Sequence, residues 1–305
     1  MYFLLAVAIL LAGVNNVLLH VLSDKKIKYN PFLFNALITL VWVFALLAYN
    51  GIFSGGLQSV SSKTWIYALV YSLTLSGFIF FKTMAMATGP ISLTSLVGCA
   101  SFILTAIFNA TYWKETLGLF DLLGIALMFV CVLMITYTGG GNSEKNLKSK
   151  LSLPWKIYSV FYFLFSGAVG IIFRLHQYVA AAHTNEMMIF AAVLASILLL
   201  LLFLITKKKH KEKAQKGTPM SAWKPILWTA LGCGLVSCIY NRMNIYLSGV
   251  LPAALFAPIY NGGMVILSFF AGWWLFKEKP RKIQLFGVIV GLLSIISFSK
   301  VFGLF

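Results

Sequence analysis

TYWKETLGLFDLLGIAL (residues 111–127) and WWLFKEKPRKIQLFGVIV (residues 273–290) decide the fold of this 305-residue chain. In each, aromatic residues close one apolar run, a Lys-Glu pair follows, and another apolar run begins. Glu278 stands 163 residues after Glu115, and Gly287 stands 163 after Gly124. The run before the first stretch carries Thr94, Gly98, Ser101, Thr105 and Asn109 at helical spacing. The same offset sets these on Ala257, Asn261, Met264, Ser268 and Gly272. Near the start of each half, Gly13, Asn16, His20 and Ser23 match Gly167, Gly170, Arg174 and Gln177 at an offset of 154. One match of this kind means little. Several at nearly constant offset, on helical spacing, indicate a duplicated half.

The halves are too apolar for water. The chain is 60% hydrophobic and 10% charged, with mean hydropathy +0.91, against about 25% charged residues in a soluble domain. No soluble fold of this length has the interior to hide so much apolar side chain. A bilayer core about 30 Å thick takes roughly 20 apolar residues per helix. Ten runs of that kind are present: 2–22, 32–50, 64–86, 91–113, 117–138, 155–180, 186–206, 225–248, 252–276 and 283–303. The expected fold is therefore an all-α integral membrane protein of ten transmembrane helices. Residues 1–138 form one five-helix repeat, 139–154 a polar linker and 155–305 the second repeat. Five is odd, so the two repeats enter the membrane from opposite sides. Such inverted repeats surround a central cavity near the midplane.

The net charge of +17 does not point to nucleic acid, because the basic residues sit in short clusters between apolar runs. The loops after runs one, five, seven and nine, with their flanks, hold 18 of the 24 Lys and Arg. The opposite face holds Lys63, Lys114 and Lys300. By the positive-inside rule the basic loops are cytoplasmic and both termini lie outside. Cys99, Cys131, Cys233 and Cys238 fall inside apolar runs and read as small buried thiols. The first run has no basic leader and no cleavage site, and reads as a retained helix.

The acids are Asp24, Glu115, Asp121, Glu144, Glu186, Glu212 and Glu278, all in loops or at helix ends. Proton-coupled export of organic cations needs a carboxylate at depth, so that activity is not expected. Cations do occur within the runs. Arg174 and Arg242 lie inside runs six and eight, with Lys82 and His20 nearer the ends of runs three and one. Facing a cavity, the arginines would pair with a carboxylate or phosphate. Otherwise they snorkel to the interface, or Arg174 reaches Glu186. Gly234, Ser237, Asn241 and Asn244 make a polar stripe on run eight, which either lines a cavity or packs against a helix. Pro258 to Gly263 should loosen run nine and present Tyr260 and Asn261. Trp42, Trp65, Trp113, Trp155, Trp223, Trp273 and Trp274 read as interfacial anchors. Glu115 and Glu278 read as caps or gate residues. The candidate lining residues are Asn16, His20, Lys82, Gly98, Ser101, Arg174, Ser237, Asn241, Arg242, Tyr260 and Asn261. No nucleophile elbow, phosphate loop or metal-ligand spacing occurs, so no enzyme activity, cofactor or metal is expected.

ATGPISLTSLVG (87–98) with TYWKETLGLFDLLGIAL, and LSGVLPAALFAP (247–258) with WWLFKEKPRKIQLFGVIV, resemble the drug/metabolite transporter superfamily, and within it the ten-helix EamA-type transporters. In that family a Glu after helices four and nine precedes a helix-packing Gly, as Glu115 precedes Gly124 and Glu278 precedes Gly287. Many members carry a Pro where this chain has Phe102 and Val265. The resemblance implies inverted five-helix repeats around a cavity lined by helices 1, 3, 4, 6, 8 and 9. It also implies export or exchange of amino acids or similar metabolites. The expected function is thus secondary transport of a small metabolite across an inner membrane by alternating access. Its partners would be that metabolite and the lipid bilayer, with a homodimer left open. An exchanger of phosphorylated sugars or organic acids, a lipid-linked-sugar translocase and a membrane scaffold are the alternatives.

Overall fold

A computed structural model describes every residue except 25–28, 54–55, 89–90, 115–117, 137–151, 211–219, 275–280 and 300–305. Glu115, Glu144, Glu212, Glu278 and most of the polar linker therefore lie outside the described residues. Among the described residues all regular structure is helical. The helices are α1 (Tyr2–Asp24), α2 (Pro31–Phe53), α3 (Ser62–Thr88), α4 (Ile91–Ala100), α5 (Phe102–Tyr112), α6 (Leu119–Thr136), α7 (Leu153–Ala180), α8 (Thr184–His210), α9 (Met220–Val250), α10 (Ala253–Trp274) and α11 (Lys282–Ser299). Helices are what an apolar solvent demands, because each satisfies its own backbone hydrogen bonds.

Four described stretches have the length and composition to cross a membrane. One of them, Leu153–Thr206, covers 54 residues, or about 80 Å at 1.5 Å per residue. That exceeds two bilayer cores, and a 3-10 turn at Ala181–His183 divides it. Large apolar side chains such as Phe44, Ile52, Leu119 and Trp228 stand exposed along the helices. In water such a surface would drive aggregation; in lipid it costs nothing.

The helix starts are written locally. Asn30 Oδ1 accepts the Phe32 and Leu33 N–H groups at 2.9 and 3.3 Å, with Pro31 at the first helical position. Asp121 reaches back to the Gly118 N–H at 2.8 Å to open α6. Gln284 reaches back to the Arg281 N–H at 2.9 Å to open α11. Both are the return arm of a capping box, and both members stand at the 163-residue offset. α5 closes with Lys114 left-handed at φ 52°, as a helix C-terminus often does.

The chain forms two compact units. The first holds Met1–Ile79 and Leu175–Tyr246, the second Phe80–Arg174 and Leu247–Phe305. Each draws on both halves of the sequence.

In the first unit, α2 and α8 run antiparallel. Thr39 and Ser196 share a 2.8 Å hydroxyl hydrogen bond, and Asn50 Nδ2 donates to Glu186 Oε1 at 3.3 Å. Rising numbers on one helix thus meet falling numbers on the other. α2 and α9 run parallel, from Phe34 packed on Ile226 and Ala230 to Trp42 Nε1 donating to Ser237 Oγ at 2.8 Å. Trp42, expected as an interfacial anchor, is instead buried, because its indole N–H has a partner on α9.

In the second unit, α6 and α11 pack antiparallel along their length. Gln284 Nε2 donates to Ile135 O at 3.0 Å, Ser294 Oγ to Gly124 O at 2.7 Å, and Ser297 Oγ to Phe120 O at 3.0 Å. A Cβ on Gly291 would meet Cys131 Sγ at 2.6 Å. Small residues here allow backbone approach, which is what holds helices together in lipid. Phe102, Met128, Cys131, Ile135, Ala257, Ile266 and Val288 fill the core between α5, α6, α10 and α11.

The expected loosening of run nine does not occur. α10 runs unbroken through Pro258 and Gly263, and the Asn261 amide bonds its own helix at Ala257 O, 2.9 Å away. The interruption falls in run four. α4 stops at Ala100 and α5 starts at Phe102. Ser101 Oγ donates to Gly98 O at 2.7 Å, the backward side-chain bond by which Ser bends a helix.

Candidate functional site

The interruption at Ser101 lies against α7. Ser101 Oγ and Ser166 Oγ are 2.7 Å apart, Thr105 Oγ1 donates to Gly167 O at 3.1 Å, and Trp155 Nε1 donates to Thr94 Oγ1 at 3.0 Å. Numbers rise together, so run four and α7 are parallel. Thr94, Ser101, Thr105 and Asn109 are all buried. The polar stripe of run four therefore faces inward, toward α7. A Cβ on Gly98 would overlap the Tyr162 hydroxyl. Gly98 and Ser101, expected to line a cavity, thus build a helix seam at this point.

Lys82 stands beside this seam, with Cys99 as an electrostatic neighbour. It is half-buried on α3, six residues before the helix ends at Thr88, or about 9 Å inside. A cation at that depth in an apolar helix is costly and usually functional. Arg174, in the same unit, is half-buried and holds its guanidinium 5.4 Å from the Trp113 ring centroid. Trp113 follows the last residue of α5, so Arg174 is level with that helix end. Tyr260 is half-buried and stacks on Phe256 at 5.9 Å.

The first unit has its own polar interior. Ser237 accepts from Trp42 and donates to Gly234 O at 3.2 Å, which ties it to packing. Asn241 Nδ2 bonds Ser237 O at 2.8 Å, and Tyr240 hydrogen-bonds the Asn241 side chain. Tyr71, fully buried on α3, lies beside Tyr240 and Cys238. Asn15 and Asn244 each bury an Oδ1 without a hydrogen-bond partner. Such groups in an apolar interior call for water or a polar solute. Asn16 is half-buried on α1 beside Asn15 in sequence. His20 belongs to α1, but its side chain lies outside the described residues.

Two groups missed at the sequence level, Asn50 and Asn185, join Arg242 to Glu186 in this unit. Arg242 Nε donates to Asn185 Oδ1 at 2.6 Å, Asn185 Nδ2 to Asn50 Oδ1 at 2.9 Å, and Asn50 Nδ2 to the buried Glu186. Glu186 thus finds its donor on α2. Nearby elements also bury His176, whose ring nitrogens have no hydrogen-bond partner and whose ring meets Tyr67 edge-on at 5.7 Å. Only a polar residue at the end of each apolar run signalled this cluster. Such residues are common at helix ends and single out nothing. No group of three or more metal-ligating side chains occurs among the described residues.

Fold and side chains define an all-helical chain with several helices fit to span a membrane. No protein-family model matches it, and no curated protein matches it. Solved structures do. One, described only as "Crystal structure of protein", superposes with a TM-score of 0.71 at 16% identity over 97% of this chain and 96% of its own. The likeness is one of fold, over essentially the whole length of both.

Proposed function

We propose that the chain is a secondary transporter, exporter or exchanger, that moves an amino acid or similar small metabolite across an inner membrane by alternating access. The packing of equivalent helices carries this reading. Runs two and seven hold equivalent places in the two halves, and so do runs five and ten. Each pair packs antiparallel. Matching helices that oppose one another support a reading of the halves as inverted repeats, the architecture of many secondary carriers. Two further observations support it. The capping device of α6 returns on α11 at the 163-residue offset. The boundary between compact units at 79/80 recurs at 246/247, an offset of 167. This is the arrangement that the resemblance to EamA-type drug/metabolite transporters implies.

The substrate class follows from the interior. Beside the seam of Ser101 and Ser166, Lys82 offers one cation among hydroxyls. These suit a zwitterion or a small polar acid, with Lys82 taking the carboxylate. The exchanger of strongly anionic metabolites leans on both arginines, which lie level with helix ends. Under the positive-inside rule the basic loops face the cytoplasm. Purified protein in liposomes tests the reading by tracer counterflow across an amino-acid and organic-acid panel. Saturable counterflow of one class supports it. A flat response across the panel, with protein shown to be folded by melting, would favour a scaffold.

A further inference from the structure

Arg242 belongs to the outer surface of α9. Leu231, Leu235, Ile239, Arg242 and Tyr246 are all exposed, at helical steps of four, four, three and four. This is one stripe of large apolar side chains, of the kind lipid covers, interrupted by a single cation. Its depth is fixed by its contacts. Tyr49 precedes the end of α2 by four residues, and Asn185 is the second residue of α8. Arg242 touches both, so it lies level with two helix ends, where a bilayer's headgroups begin.

The guanidinium is also oriented. Nε is held by Asn185 at 2.6 Å, and Asn185 is held by Asn50. The guanidinium carbon lies 5.0 Å from the Tyr49 ring centroid. The edge formed by Nη1 and Nη2 makes no hydrogen bond among the described residues. A planar fork on an exposed residue, with its stem fixed and its two-pronged edge unengaged among the described residues, matches a phosphate or carboxylate. On a lipid-covered stripe at headgroup depth, the oxyanion within reach is a lipid phosphate.

We propose that Arg242, positioned by Asn185 and Tyr49, binds the phosphate of an anionic phospholipid. The inference rests on the membrane reading of the chain and is independent of transport. It takes Arg242 out of the substrate path and makes it an anchor that sets the depth of α9.

The test is a thermal shift of purified, delipidated full-length protein in a neutral detergent. The added probes are phosphatidylglycerol, phosphatidylcholine or inorganic phosphate. Phosphatidylglycerol should raise the melting temperature of wild type by several degrees more than phosphatidylcholine, and inorganic phosphate should not raise it. Arg242→Gln should lose most of that difference. Lys63→Gln, which removes an exposed charge at the start of α3, should keep it. If Arg242→Gln does not fold, Asn185→Ala replaces it, since it frees the fork without removing the charge and should at least halve the shift. A full shift in Arg242→Gln, or in its replacement, overturns the proposal. So does a shift from inorganic phosphate as large as that from the lipid, which marks a site for soluble anions. Equal loss in Lys63→Gln also overturns it, because the effect is then net charge alone.

Discussion

Gly98→Ala adds one methyl group where run four meets α7. An ideal Cβ there stands 2.5 Å from Tyr162 Cζ and 2.8 Å from Cε1, with the hydroxyl oxygen closer still. Ordinary contact begins near 3.4 Å, so the ring has to retreat by about 1 Å. It has little room to do so. Tyr162 is buried, and the hydrogen bonds of Ser101 to Ser166 and Thr105 to Gly167 hold the two helices together just beyond it. Overpacking of this kind costs about 1–3 kcal/mol, or roughly 1.5–5 °C of melting temperature in a chain of this size. Fluorescence melting in detergent measures it, alone and with Tyr162→Ala. Tyr162→Ala removes the obstructing ring, so adding Gly98→Ala to it should change stability by less than about 0.5 kcal/mol. If Gly98→Ala melts with wild type and alters only transport, Gly98 faces a cavity and the seam is refuted. A deficit that persists in the double variant would show that the clash is with something other than Tyr162.

Three other outcomes are expected. Lys82→Gln should weaken counterflow of a carboxylate substrate about tenfold or more, the loss of a charge-assisted hydrogen bond of roughly 1.5–3 kcal/mol; Lys82→Arg should retain part of it, and an unchanged Michaelis constant in Lys82→Gln would remove this residue from the site. In a background without native cysteines, Thr39→Cys with Ser196→Cys should cross-link within one chain, since the two hydroxyls are 2.8 Å apart; failure under oxidation, while a parallel-pair control at Ser101 and Ser166 does cross-link, counts against antiparallel α2 and α8. Asn30→Ala should cost about 1 kcal/mol through loss of the α2 cap while Asn30→Asp stays near wild type, and equal melting of all three proteins would deny the cap.

The apolar runs and their length made the helices, and their fitness to span a membrane, legible from residues alone. These are local or periodic properties, and lipid leaves the backbone no alternative. Even the cap of α11 is foreshadowed, since Gln284 sits where Asp121 does. What a polar residue does inside the membrane was not legible. Gly98, Ser101 and Ser237 look the same whether a substrate or a helix lies opposite. Trp42 looks like an anchor until Ser237 is brought to its indole. Arg242 reads as embedded because its run is apolar on both sides, yet α9 continues eight residues beyond it, and its contacts place it at the ends of α2 and α8.

The sequence by itself determined which segments are helical and which are long and apolar enough to span a membrane, because backbone satisfaction and composition act within a segment. Only the tertiary structure decided which face of each helix meets a neighbour and at what depth a charge comes to rest. Those depend on residues 57 to 195 positions away, whose arrival no local pattern encodes.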